Sequence, residues 1–220
     1  GQADILGDQV GLTGDATVNA DGEQGGGNIQ IGGSYQGKDR DFKNAEATYV
    51  GEGTKISANA GTAGDGGDIV IWADKTTRYY GDIEAKGGSQ SGNGGDVEVS
   101  GKQTLSFDGA VNTSADNGLS GELLLDPDTL TIVADAQAES TNSSNLAGEV
   151  SFIEPITDAT IRASTVVSLL STNNVKLTAS NLIDVQSAIT NANTNTNTLE
   201  LFSNGDINVN ALIQVGGALQ

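Results

Sequence analysis

The chain has 220 residues and a formal net charge of −19, from 29 acidic and 10 basic residues, with no Cys, His or Met. Such an acidic surface repels the phosphates of nucleic acids and of anionic lipids, which argues against a nucleic-acid role and against direct membrane insertion. The missing Cys removes disulfides, thiolate metal sites and thiol catalysis, and the missing His removes the commonest general base and metal ligand.

No signal peptide opens the chain and no apolar run approaches the ~20 residues of a membrane span. Without Met at position 1, the sequence is expected to be a processed product or a piece of a longer protein.

Residues 1–133 are expected to form Gly-rich coils. A short apolar strand, a glycine-rich stretch and a second strand recur four times. The first strands begin at Val18, Ile56, Ile83 and Val111, and the second contain Ile29, Ile69, Val97 and Leu123. Repeats made only of strands and turns imply a coil stacked on itself. Ile29, Ile69, Val97 and Leu123 are expected to form one internal column and Ile31, Ile71, Val99 and Leu125 the next, with Gln30, Val70 and Glu98 pointing outward. With one coil per ~25 residues and coils about 4.8 Å apart, the rod is on the order of 40 Å long. Glycine suits the tight corners, where positive φ or close backbone approach is needed.

The first interval, Val18 to Ile56, is longer than the next two, which places an insertion near Gly37 to Thr48. Gly37 to Asn44 carries three of the ten basic residues and reads as a mixed-charge solvated loop. Residues 134–165 break the pattern. Ala134 to Ala147 is small and polar, as a surface excursion is, and Ser164 to Leu170 predicts a short helix with Ser164 as N-cap. Residues 166–220 carry a second repeat. Val175, Leu177, Ile183, Val185 and Ile189 return 24 residues later as Leu199, Leu201, Ile207, Val209 and Ile213. Lys176 and Asp184 return as Glu200 and Asn208, the alternation of strands with one buried face. Asn191 to Thr198 is a low-complexity loop between equivalent strands.

The candidate chemistry is sparse. Asp68 and Asp96 are expected to stack on successive coils, and Glu84 and Glu98 to sit at outward strand positions. Two carboxylates suffice for a glycosidase, but abundant acids make such pairings cheap. Gly64 to Asp68 and Asn93 to Asp96 approach the calcium-binding nonapeptide pattern, which requires Gly-Gly-x-Gly-x-Asp in tandem; here Asp follows Gly-Gly directly and the copies are not in tandem, so they read as turn chemistry. Trp72, Tyr79 and Tyr80 cluster locally and read as packing residues, with sugar stacking as the alternative.

The ordered set of Gly32 to Gly37, Gly66 to Asp74, Thr77 to Gly81, Gly94 to Lys102 and Leu123 to Pro127, followed by Ile183 to Val185 and Gly205 to Val209, resembles the filamentous-haemagglutinin-like exoproteins of two-partner secretion in Gram-negative bacteria. The resemblance covers nearly the whole chain and corresponds to the shaft after the N-terminal secretion domain. It implies an all-β fold, a single-stranded right-handed parallel β-helix, here with one or two insertions and a short helix.

It also implies a secreted protein displayed at the bacterial surface, with an outer-membrane pore as partner during export. The expected role is structural and adhesive, in cell adhesion, aggregation or biofilm. The surface of a host or neighbouring cell, extracellular polysaccharide, or other copies of the filament would be its partners. The chain is expected not to be an enzyme, with no catalytic, cofactor-binding or metal residues and no cofactor. The alternative is a β-helix that binds or acts on extracellular polysaccharide.

Overall fold

The computed structural model describes residues 1–138, 159–191 and 195–220. Most of Ala134 to Ala147, the expected surface excursion, and part of the Asn191 to Thr198 loop lie outside the described residues. The described chain is mostly β and its sheets are parallel. The largest contains Gln2–Ile5, Asn28–Ile31, Asp68–Ala73, Val97–Gly101, Glu122–Leu125, Asn174–Ala179 and Leu199–Ser203, hydrogen-bonded in that order. Each strand belongs to a successive pass of the chain. Ile29 pairs with Ile69, Ile69 with Val97, Val97 with Leu123, Leu123 with Val175, and Val175 with Leu199. The expected apolar column is therefore present and crosses from the first repeat family into the second. Its members from Ile29 to Leu199 are buried.

A second sheet stacks Gln9–Leu12, Ala47–Val50, Thr76–Tyr79 and Thr104–Phe107. A third stacks Thr17–Asn19, Lys55–Ser57, Asp82–Glu84 and Ala110–Asn112. The inward side chains of all three sheets meet in one core of Ile, Val, Leu and Ala. Tyr79 and Phe107 stack there at 5.1 Å between ring centroids, and the Tyr79 hydroxyl donates to the Ala110 carbonyl at 2.9 Å. Threonine supplies a buried polar column. Thr48 and Thr77 are paired, and their hydroxyls donate to the carbonyls of Trp72 at 2.6 Å and Ser100 at 2.7 Å.

The fifth pass departs from this regularity. Thr129–Val133 pairs on one side with Leu182–Val185, which in turn pairs with Asp206–Val209. On its other side lies Ala159–Arg162, a later piece of chain, which also packs beside Thr104–Phe107. Residues 134–165 thus include a strand that takes a place in the stack. The chain then enters the helix Ala163–Leu169, which packs between Ala110–Asn112 and Ile189–Thr190 and buries Ala163, Val166 and Leu169. Spacings of three residues put these side chains on one face.

The expected helix is present, but its cap is not as expected. Arg162 occupies the N-cap without a side-chain bond, and the Ser164 hydroxyl donates to Asp135 Oδ1 at 2.8 Å.

Two expectations about exposure are overturned. Val70 and Glu98 do point away from the inner columns, yet Val70 is 7% and Glu98 1% exposed, because the first insertion folds back over them. At the other end, Ile207 and Val209 occupy inward register but are exposed, since no described strand stacks on the far side of Asp206–Val209.

Candidate functional site

The third sheet forms the floor of a groove of about 1000 Å³. Strands here are three residues long, with the middle residue inward and the outer two toward the groove. Successive passes therefore present Thr17 and Asn19, Lys55 and Ser57, Asp82 and Glu84, and Ala110 and Asn112. The helix Ala163–Leu169 replaces the next strand. A helix is roughly 10 Å across, much thicker than a strand, so Ser164, Thr165 and Ser168 form an end wall.

The groove's polar groups are partly held in place. Glu84 accepts from Lys86 Nζ at 3.0 Å and from Asn59 Nδ2 at 3.2 Å, and Asp21 Oδ1 accepts from the Asn59 backbone at 2.6 Å. At the mouth, Asp108 pairs with Arg162 at 3.4 Å. Burial raises the Asp108 carboxyl above its ordinary value, and Arg162 opposes that shift. The groove is a ladder of hydroxyls, amides and carboxylates suited to hydrogen-bonding an extended polar ligand.

On the first sheet the insertion after Ile31 builds a covered site around Glu98. Gly33 and Gly37 lie against the Trp72 indole, so closely that a Cβ at either would fall within 2.7 Å of the ring. Trp72 Nε1 donates to Asp74 Oδ1 at 3.0 Å, and Asn44 Nδ2 donates to the same oxygen and to the Gly37 carbonyl, each at 3.1 Å. The loop thereby brings the Gln36 backbone N–H to Glu98 Oε2 at 2.8 Å. Gln36 has φ of 53°, and among the described residues it is the one non-glycine residue with positive φ. That conformation costs of order 1 kcal/mol or more and persists where surrounding structure holds it. Burial pushes the Glu98 carboxyl up to about 7, against the stabilising pull of the Gln36 N–H.

Of the acids named from sequence, Asp68 and Asp96 are brought together on successive passes, as expected, and Glu84 and Glu98 are not. Asp68 and Asp96 are neighbours in register, and burial, then the Asp96 charge, raises the Asp68 carboxyl. Glu84 belongs to the groove and Glu98 to the covered site on another sheet. Trp72, Tyr79 and Tyr80 are all buried, so they are packing residues and not a sugar-stacking surface.

The acids around the Gly-Gly-Asp corners tie one pass to the next and do not cap local turns as the sequence suggested; Asp96 Oδ1 accepts from the Glu122 backbone at 3.3 Å. Asp65 Oδ1 accepts from the Asn93 backbone at 2.7 Å, and among the described residues no group of three or more acids is placed to hold one metal ion. Sequence reasoning missed the burial of Glu98, although Val70 and Leu124, apolar residues in the same outward column, signal that something covers it.

No family model matches the chain, and no curated protein is significantly similar to it. Its own geometry therefore has to carry any functional reading.

Proposed function

We propose that this chain is a shaft segment of a secreted bacterial surface filament of the filamentous-haemagglutinin-like kind. It is a right-handed parallel β-helix whose role is structural and adhesive and which is not an enzyme. The observation that carries the reading is the unbroken parallel register of the first sheet through seven strands, from Gln2–Ile5 to Leu199–Ser203. Each pass is held mainly by its two neighbours, so the architecture extends without limit and suits a spacer. Crossovers between parallel strands of one sheet are right-handed in about 98% of cases, which favours that hand. The chain contains no His, and Glu84 and Glu98 stand on different sheets, which supports a non-catalytic role.

Export through an outer-membrane pore and display at the cell surface follow from the resemblance, with a host or neighbouring cell or a further copy as partner. Cells expressing the parent protein with and without this segment test the reading. Loss of surface adhesion or aggregation on its deletion, with export intact, is the expected result. Unchanged adhesion and aggregation overturn it.

The third-sheet groove favours a second reading, binding of an extracellular polysaccharide. Immobilised chain should then retain a neutral or basic polysaccharide, and Asn112→Leu, in the groove floor, should abolish retention. Equal retention by the variant removes this reading and leaves the shaft untouched.

A further inference from the structure

Beside the loop that covers Glu98 lies a second, smaller cavity of about 290 Å³. Its lining includes a column of acids from three successive passes, Asp68, Asp96 and Glu122, with Glu98 on the same face two residues along from Asp96, and Tyr35 from the covering loop. The apolar side chains on this outer face are Val70 and Leu124, which flank Glu98 in register.

Two buried oxygens in this lining have no hydrogen-bond partner, Glu98 Oε1 and Gln30 Oε1, and Glu98 itself is 1% exposed. Unmade bonds of this kind are costly and point to a missing donor. The negative charge is only partly compensated, by Lys38 acting on Glu98 and Lys176 on Glu122 and Tyr35. Burial, aided by neighbouring carboxylates, raises Asp68, Glu98 and Tyr35. Burial also raises Glu122, which Lys176 opposes. Lys176 is itself paired with Glu200 at 3.4 Å, and Asp96 Oδ1 already accepts from the Glu122 backbone at 3.3 Å.

We propose that this cavity binds an alkylammonium ion, of the kind carried by a lysine side chain, with its stem on Val70 and Leu124 and its N–H groups among the carboxylates. The acids do not converge tightly enough for one metal ion, whereas an ammonium on a flexible stem supplies donors to separated acceptors. Apolar side chains beside carboxylates suit a ligand that is greasy along its length and charged at its tip. This inference stands independently of whether the shaft is adhesive.

The test is an NMR titration of the whole 220-residue chain at pH 8 and low salt. The probe is Nα-acetyl-lysine N-methylamide, with the norleucine analogue and calcium chloride as comparators. Saturating shifts at the amides of Tyr35, Val97, Glu98 and Glu122 are expected with the lysine probe and not with the norleucine one. Glu122→Gln, at the partly exposed edge of the cavity, should weaken binding roughly tenfold, as loss of one ion pair worth about 1.4 kcal/mol does. Asp96→Asn should do the same and guards against a folding defect in the first variant. The proposal fails if the lysine probe gives no saturable shift, if norleucine binds equally well, if both variants keep full affinity, or if calcium produces the same shifts at lower concentration.

Discussion

The two halves of the chain turn the same corner with different chemistry. Just ahead of the strands of the first sheet, one shared register position is held by Gly27, Gly67, Gly95 and Gly121 in the early passes, then by Asn173 and Asn197 in the later ones. In the early passes the chain pinches shut backbone to backbone. The amides of Gly27, Gly67, Gly95 and Gly121 donate to the carbonyls of Ala20, Ala58, Ala85 and Thr113 at 2.8–2.9 Å. Successive glycines also stack so closely that a Cβ on Gly95 would lie 2.0 Å from the Gly67 carbonyl oxygen.

In the fifth pass the helix Ala163–Leu169 widens the turn, and a side chain has to span it. Asn173 does so from full burial. Its Oδ1 accepts from the Thr113 backbone at 2.9 Å, while its Nδ2 donates to the carbonyls of Val111 at 2.9 Å and Leu169 at 2.7 Å. One half therefore depends on the absence of a side chain, and the other on the full donor and acceptor set of an amide.

Gly95→Ala is expected to break the first half outright. The obstacle is backbone on a neighbouring pass, which cannot rotate away, so the cost is at least ~3 kcal/mol. Gly14→Ala is the matched contrast. Gly14 has φ of 64° but nothing within 4 Å of an added Cβ, and the expected cost is about 1 kcal/mol from strain alone. Urea denaturation of the two variants measures the gap, and equal midpoints would show that the stacked corners have room to spare.

The asparagine corner makes the complementary statement. Asn173→Gly restores the residue of the early corners, yet it should cost about 3 kcal/mol, because Thr113 N–H and the Val111 and Leu169 carbonyls lose their partner in a dry interior. A neutral result would mean that the two corners are interchangeable and that the amide is incidental.

The first half also carries the covering loop, and pH separates it from the second half. Glu98 titrates at about 7 in the folded chain against an ordinary value of 4.5. The folded state thus holds this proton more tightly than the unfolded state does. The contribution to stability is complete below pH 4.5 and is lost as pH rises through 7. The gap corresponds to about 3 kcal/mol. Glu98→Gln should therefore be close to wild type at pH 5 and more stable at pH 8.5. A difference between the two proteins that does not vary with pH contradicts the buried, covered carboxyl. At 1% exposure the outward-pointing Glu98 is not a solvated position, and Glu98→Lys would bury an ammonium in its place.

What the sequence revealed and what it concealed divide along a physical line. Period-two alternation and the 24-residue return fixed the apolar columns, since burial of one strand face is a local property that repeats. The covered site was harder to read because it joins residues far apart in sequence, Gln36 to Glu98 and Gly37 to Trp72. Its trace was nonetheless present: Val70 and Leu124 are apolar at outward positions, where a solvated wall would be polar. The third-sheet groove depends on a helix replacing a strand, and the strand Ala159–Arg162 enters the stack out of chain order. Neither event has a periodic signature.

The smallest effect tests how far the second half resembles the first at its end. Val185 and Val209 are paired in register, but Val185 is 0% and Val209 53% exposed. Val185→Asp puts a carboxylate into the core and should cost several kcal/mol, from lost apolar burial of about 1.5–3 kcal/mol and an unpaired buried charge. Val209→Asp has water at hand and should cost no more than about 1 kcal/mol. The same valine, one pass apart, thus reports whether a neighbour lies on both sides. If Val209→Asp proves as damaging as Val185→Asp, the last pass is covered in solution, and a melting temperature that rises with protein concentration would identify a second copy of the chain as the cover.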